Sequence, residues 1–271
     1  MEPAEYDNIA RVQERHWWYR GMAAISLRLL GNARVVATRV IVAGCALVAR
    51  GEQRLKSPLR SPLLLDAGCG PGGMLTHLSA IGRPIGIDLH PLALAHAKAG
   101  HPAPLARASV ERLPFADHCF DIVTSFDVLY HLAVGDDVAA LEEFARVLRS
   151  DGILLIRVPA WEALRGAHDA VVHTRRRYTA GELRAKLRAA GFRIERLTYA
   201  NTLLFFPVLV RRLMQGKHSG KESSDIELPP SFINSTLEFI LKIESLWLAR
   251  FDLPVGVSLF ALARMAASRN I

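Results

Sequence analysis

Residues 63–73 read LLLDAGCGPGG. Three consecutive leucines mark a strand buried on both faces, and the glycines at 68, 70, 72 and 73 then let the backbone turn tightly and approach a ligand where the next helix begins. The same letters satisfy G-x-G-x-x-G through Gly68, Gly70 and Gly73, and Asp88 stands where an acid accepts from ribose hydroxyls. Asp66 sits directly before the loop. A carboxylate there repels a pyrophosphate and suits a cationic amino group or sulfonium. The residues ask for a nucleoside with a positive end, while a nicotinamide or flavin site stays open as the alternative.

Outward from this loop, short apolar runs alternate with helical segments, the mark of βαβ units and a mainly parallel sheet. Residues 63–68, 84–88, 103–108, 120–126, 152–159 and 192–200 read as strands, with 255–265 as a last one. Val138, Leu141, Phe144, Ala145 and Leu148 share one face of a helix between the fourth and fifth strands. Thr179 with Glu182 three residues on is a capping box, and Gly191 ends the helix it starts. Upstream, Ile9, Val12, His16, Ala23, Leu27 and Leu30 predict a single helix over 8–30. Helices are also expected over 201–215 and 232–250, joined by the polar stretch QGKHSGKESSDIELPP, which reads as a mobile connection.

The expected organisation is one elaborated domain: an N-terminal helical lid and insertion (1–62), a Rossmann-like core (63–200), a helical cap insertion (201–254) and a last core strand (255–271). The fold class is α/β, a doubly wound, mainly parallel seven-stranded sheet. No basic segment followed by an apolar one opens the chain, so no signal peptide is read. The longest apolar runs, 35–49 and 201–210, fall short of the ~20 residues of a spanning helix. The three cysteines, Cys45, Cys69 and Cys119, lack C-x-x-C spacing, against a disulfide framework or structural zinc and in keeping with a reducing cytoplasm. A net charge of +8 is open to nucleic acid, an anionic membrane face or an acidic substrate.

Taken in order, these motifs resemble the class I S-adenosylmethionine-dependent methyltransferases, nearest the small-molecule kind called methyltransferase type 11. DAGCGPGG resembles their glycine loop, GIDLHPLALAHAKA the ribose-binding acid with its helix, SVERLPFADHCFDIVTSFDVLYHL the adenine-side loop and fourth strand, and FARVLRSDGILLIRVP the helix and strand that follow. The resemblance covers most of 63–200. It implies S-adenosyl-L-methionine as cofactor, with Asp66, Gly68, Gly70, Asp88, Leu89, Ser109, Val110 and Glu111 on it. Relatives carry an acid where Ser109 stands, so the adenine amino contact is expected to be weaker here or to pass to Glu111.

Methyl transfer from a sulfonium needs alignment of nucleophile and methyl, with a base only where the nucleophile must lose a proton. No metal is expected. The (D/N)-P-P-(Y/F) and Pro-Cys signatures of base-modifying enzymes are missing after the fourth strand, so nucleic acid is not the favoured partner. The end of that strand supplies Asp127, Tyr130 and His131, and 167–179 supplies His168, Asp169, His173, Arg176, Arg177 and Tyr178. His131, His173, Arg177 and Tyr178 are the expected catalytic group. The arginines could grip a carboxylate or phosphate on the acceptor.

HWWYR at 16–20 is open to three readings: core plug, membrane anchor or lid. In type 11 relatives with a comparable segment the N-terminal helices lie over the open end of the sheet, which implies Trp17 and Trp18 as roof residues beside the cofactor. The apolar 201–253 region favours a lipid-like or carrier-linked acceptor and allows peripheral membrane contact. The expected function is methyl transfer, to oxygen, on a small-molecule or lipid-like acceptor. An NAD(P)-dependent oxidoreductase and a non-catalytic nucleotide-binding protein are the rivals.

Overall fold

The computed structural model describes residues 1–32, 61–215 and 227–266. The expected insertion over 31–62 and the polar stretch after 215 therefore fall largely outside the described residues. Elements run α1 (Pro3–Val12), α2 (Trp17–Asn32), β1 (Leu63–Ala67), α3 (Gly73–Ser79), β2 (Arg83–Asp88), α4 (Pro91–Gly100), β3 (Leu105–Arg107), β4 (Phe120–Phe126), α5 (Asp137–Val147), β5 (Leu148–Pro159), α6 (Ala167–Val171), α7 (Ala180–Ala189), β6 (Phe192–Ala200), α8 (Phe205–Gln215), α9 (Ser231–Trp247) and β7 (Ser258–Met265).

The strands form one sheet in the order β3-β2-β1-β4-β5-β7-β6. β7 is antiparallel to both neighbours and the remaining pairings are parallel. The strand order reverses beside β1, so the ends of β1 and β4 leave a crevice at the carboxyl edge where ligands of such sheets bind. β1 is buried along Leu64–Ala67, as its leucine run requires. The Thr179–Glu182 capping box forms at the start of α7.

The predicted single N-terminal helix is two. The chain breaks after α1 because His16 caps α2: its Nδ1 accepts the Trp18 N–H at 3.2 Å. The lid boundary also needs correction. Met22, Ile25, Leu29 and Leu30 of α2 are buried in one cluster with Leu64 of β1, Ile122 of β4 and Leu155 of β5. α2 covers a face of the sheet and belongs to the core. α1, the α1–α2 junction and the first turn of α2 lie over the carboxyl edge, where Gln13 Nε2 donates to the Pro71 carbonyl at 3.3 Å and Asp7 pairs with His96 of α4 at 2.7 Å.

Candidate active site

The glycine loop leaves β1 with Gly68 at φ +86° and Gly70 at φ +54°, values that favour glycine. At Gly68 a Cβ would meet Val128 Cγ2 at 2.2 Å, whereas at Gly70 it would enter open space. Gly68 is fixed by packing and Gly70 presents bare backbone to the cavity. The loop is tied to β2 by Asp88, whose carboxylate accepts from Gly70 N–H and His90 N–H, both at 2.9 Å. Burial raises the Asp88 pKa.

Asp66 is 2% exposed yet lines the cavity, accepting the Thr124 hydroxyl at 2.8 Å. Burial pushes its carboxyl up to about 7. A neutralisable acid beside bare backbone suits a group carrying positive charge and disfavours a pyrophosphate. On the same wall Tyr6 of α1 stacks on His90, with centroids 4.5 Å apart and an interplanar angle of 18°. Leu89, Ser109 and Val110 line this end too. Glu111 does not: its carboxylate accepts the Asp136 N–H at 2.8 Å, outside the cavity lining. The expected substitute for the adenine-side acid is therefore spent on a loop.

The cavity is continuous, of about 1300 Å³, and runs past the end of β4 to the ends of β5 and β6. A single small-molecule pocket is roughly 300–1,000 Å³. Its volume accommodates two ligands side by side.

His131 and His173 are brought together by a short antiparallel bridge. His131 pairs with Thr174, and Leu132 N–H donates to the His173 carbonyl at 2.9 Å. His131 Nδ1 accepts the Ala133 N–H at 3.0 Å, so the neutral ring carries its proton on Nε2. Burial, the Met1 ammonium and His173 lower its pKa to about 4, which keeps it neutral. His173 has the opposite arrangement: Nε2 donates to Glu2 at 2.9 Å, which leaves Nδ1 as the acceptor. The Met1 nitrogen fills the space between the rings, 2.8 Å from His131 Nε2 and 2.8 Å from His173 Nδ1. Without Met1 between them the two rings would present one donor and one acceptor to a single atom, the complement of a hydroxyl or neutral amine.

The rest of the expected catalytic group is corrected. Tyr178 is 1% exposed and lies outside the cavity lining; its hydroxyl sits 2.7 Å from the Asp137 carboxylate and 3.0 Å from the Leu129 carbonyl. Arg177 reaches the cavity wall, but Nε and Nη2 clasp Asp169 at 2.9 and 3.0 Å and Nη1 donates to Ala160. Arg175 and Arg176 pair with Asp137. The arginines hold buried carboxylates of the scaffold and are engaged before any acceptor arrives.

Trp17 and Trp18 line the cavity and also pack against the α2 core cluster, edge to face with centroids 5.8 Å apart. Roof and core readings of HWWYR thus describe the same side chains. Tyr19 and Arg20 line the cavity as well.

Several lining residues escaped sequence reasoning. Arg157 interrupts the apolar β5 run, an anomaly legible in the sequence; it is 6% exposed, bonds Asp127 Oδ2 at 2.9 and 2.6 Å, and lies 5.4 Å from the Phe126 ring centroid. Asn201 follows β6 at φ +61° and is 2% exposed, and its Oδ1 finds no hydrogen-bond partner among the described residues. The Glu244 carboxylate holds its backbone there, accepting from Asn201 N–H and, at 2.9 Å, from Thr202 N–H. Leu204, Val208, Val257 and Ser258 line the same cavity.

Residues 65–156 match the family model described as a methyltransferase domain. A Mycobacterium tuberculosis protein named "Probable S-adenosylmethionine-dependent methyltransferase" is 32% identical over 145 residues, 52% of each chain. The chain thus spans about half the length of the curated relatives it matches. Among solved structures, an S-adenosylmethionine-dependent methyltransferase from Thermotoga maritima aligns over 97% of this chain and 96% of its own, with TM-score 0.55 and 15% identity. The methyltransferase bound to the Trm112 activator from Haloferax volcanii aligns over 76% of this chain and 83% of its own, with TM-score 0.52 and 20% identity. At these identities the two structures speak for the fold.

Proposed function

We propose that this chain, whose Rossmann-like core is of the class I S-adenosylmethionine-dependent methyltransferase kind, transfers a methyl group to the hydroxyl of a largely apolar small molecule or lipid-like acceptor. The observation carrying this reading is the pairing, within one cavity, of a bare glycine backbone flanked by Asp66 and Asp88 with the His131–His173 donor–acceptor pair.

The residues present fit the cofactor. Gly70 leaves open space where a side chain would stand, Asp88 offers ribose-binding oxygens, Leu89 and Tyr6 flank the adenosine end, and Asp66 supplies a carboxylate for a cationic end. S-adenosylmethionine supplies a methyl on a sulfonium, whose leaving group needs no further activation. The protein's task is then alignment and proton handling. With the acceptor oxygen in the place that the Met1 nitrogen fills here, His131 Nε2–H orients it and His173 Nδ1 takes its proton as the oxygen becomes a nucleophile. Glu2, hydrogen-bonded to the far nitrogen, steadies the resulting imidazolium. Asn201, whose Oδ1 has no partner among the described residues, holds a polar group of the acceptor, and Leu204 and Val208 of the same cavity hold its hydrocarbon.

The test is calorimetric titration with S-adenosylmethionine and with NAD, followed by assay of S-adenosylhomocysteine release with candidate hydroxylated and amine acceptors. Asp88→Ala removes charge-assisted hydrogen bonds worth about 1.5–3 kcal/mol, so cofactor affinity should fall at least roughly tenfold. Dinucleotide binding without S-adenosylmethionine binding overturns the reading. Turnover confined to amine acceptors overturns the assignment to oxygen alone.

A further inference from the structure

Helix α9 has two apolar faces, and among the described residues only one is packed against the rest of the molecule. Its inner face carries the fully buried Leu241, which packs so closely on α2 that a Cβ at Gly21 would lie 2.3 Å from Leu241 Cδ1. On the outer face Phe232 is 81% exposed, Phe239 61%, Ile243 51%, Leu246 59% and Trp247 55%. At 100° per residue these five side chains fall within an arc of about 100°. Phe251, 55% exposed, extends the patch with its ring centroid 5.1 Å from that of Trp247. Polar residues ordinarily occupy the outer face of a surface helix, so such a stripe calls for an apolar medium.

The charges around it identify the medium. Both acids of α9 turn inward and are 6% exposed. Glu238 is held by Arg20 at 3.1 Å and Lys242 at 2.5 Å, and Glu244 by the backbone after β6. Outward beside the apolar stripe stand Lys242 and Arg250, with Asp252 in the turn after α9 paired to Arg196, in a chain of net charge +8. No described helix is long and apolar enough to cross a membrane. An apolar stripe rich in aromatics, with cations beside it and its neighbouring exposed carboxylate, Asp252, held by Arg196, matches a helix lying in the plane of an anionic bilayer surface.

We propose that the outer face of α9 docks this protein onto anionic phospholipid membranes. The docking stands independently of the methyl-transfer reading, because it uses none of the cavity residues argued to hold cofactor or acceptor nucleophile.

The experiment is co-sedimentation of the full chain with vesicles of phosphatidylcholine containing about one-third phosphatidylglycerol, and with phosphatidylcholine alone, alongside the variant Phe239→Ser/Ile243→Ser. Both positions are exposed, and unchanged S-adenosylhomocysteine affinity and melting temperature verify that the variant is folded. The expected result is binding to the anionic vesicles, weakened by added salt, and reduced at least roughly tenfold in the variant. Lys242→Glu/Arg250→Glu should lower anionic-vesicle binding selectively. Failure of the wild-type chain to sediment with either vesicle overturns the proposal, as does equal binding by the variant. A wild-type dimer in sedimentation velocity that Phe239→Ser/Ile243→Ser converts to monomer, without vesicle binding, assigns the face to a second copy instead.

Discussion

His131 and His173, with ring centroids 5.8 Å apart, turn nitrogens of opposite hydrogen-bond polarity toward the space that the Met1 nitrogen fills, 2.8 Å from each. The difference comes from what stands behind each ring: a backbone N–H fixes the proton of His131 on the inner nitrogen, and a carboxylate draws that of His173 to the outer one. The pair therefore divides orientation from proton removal.

His173→Ala should lower turnover by about 10²–10⁴-fold, the range of a positioned acid–base group, with S-adenosylmethionine affinity unchanged. Glu2→Gln should show a smaller loss and a shifted pH–rate profile. His131→Ala should raise the acceptor KM more than it lowers kcat. A fall in cofactor affinity matching the fall in turnover would place either ring on the cofactor.

Asp66 predicts a pH signature. Its folded-state pKa, about 7, lies above the ordinary aspartate value of about 3.9, so the folded protein binds more protons than the unfolded chain between these values. The stability tied to neutral Asp66 is complete below the lower value and lost as pH rises through about 7. Without ligand, the melting temperature should drop from pH 5.5 to 8, and Asp66→Asn should flatten that slope. A cationic ligand favours the carboxylate, so S-adenosylmethionine binding near pH 6 should release protons, seen as a buffer-dependent calorimetric enthalpy. Identical enthalpies across buffers would remove Asp66 from the cationic end of the site.

Arg177 and Tyr178 should behave as scaffold. Arg177→Ala leaves Asp169 charged and buried without its partner, a loss of about 3–5 kcal/mol, and Tyr178→Phe should cost about 1–3 kcal/mol through the Asp137 network. Both should keep near-normal turnover per folded molecule below their lowered melting temperatures. Turnover lost from a fully folded Tyr178→Phe would return the hydroxyl to the chemistry.

Truncation should separate the lid from the core. Removing residues 1–12 takes away α1 with Tyr6 and should leave a folded protein with weakened cofactor affinity and poor turnover. Removing 1–32 strips α2 from Leu64, Ile122 and Leu155 and should give an insoluble chain. A soluble, cooperatively melting 33–271 fragment would reinstate the whole N-terminal region as a dispensable cover.

The sequence by itself determined the sheet and its nucleotide-binding end. A buried leucine run entering glycines, an acid at the next strand end and alternating apolar segments depend on local conformational preference and short-range order, and both are written in consecutive residues. Tertiary structure decided the acceptor side. His131 and His173 are 42 positions apart and meet only because a bridge between two loops aligns them, and their opposite tautomers depend on Ala133 and Glu2, from distant parts of the chain. RRRY at 175–178 looked like a substrate grip because a string of letters does not reveal which buried carboxylates will claim it; Asp137 and Asp169 do, since an unpaired charge in the interior is too costly to leave. Asn201 carries no local signal at all, and its left-handed backbone is held by Glu244 from a helix more than forty residues away. The amphipathicity of 232–250 was legible, but only packing on α2 revealed that a second apolar face remains outside.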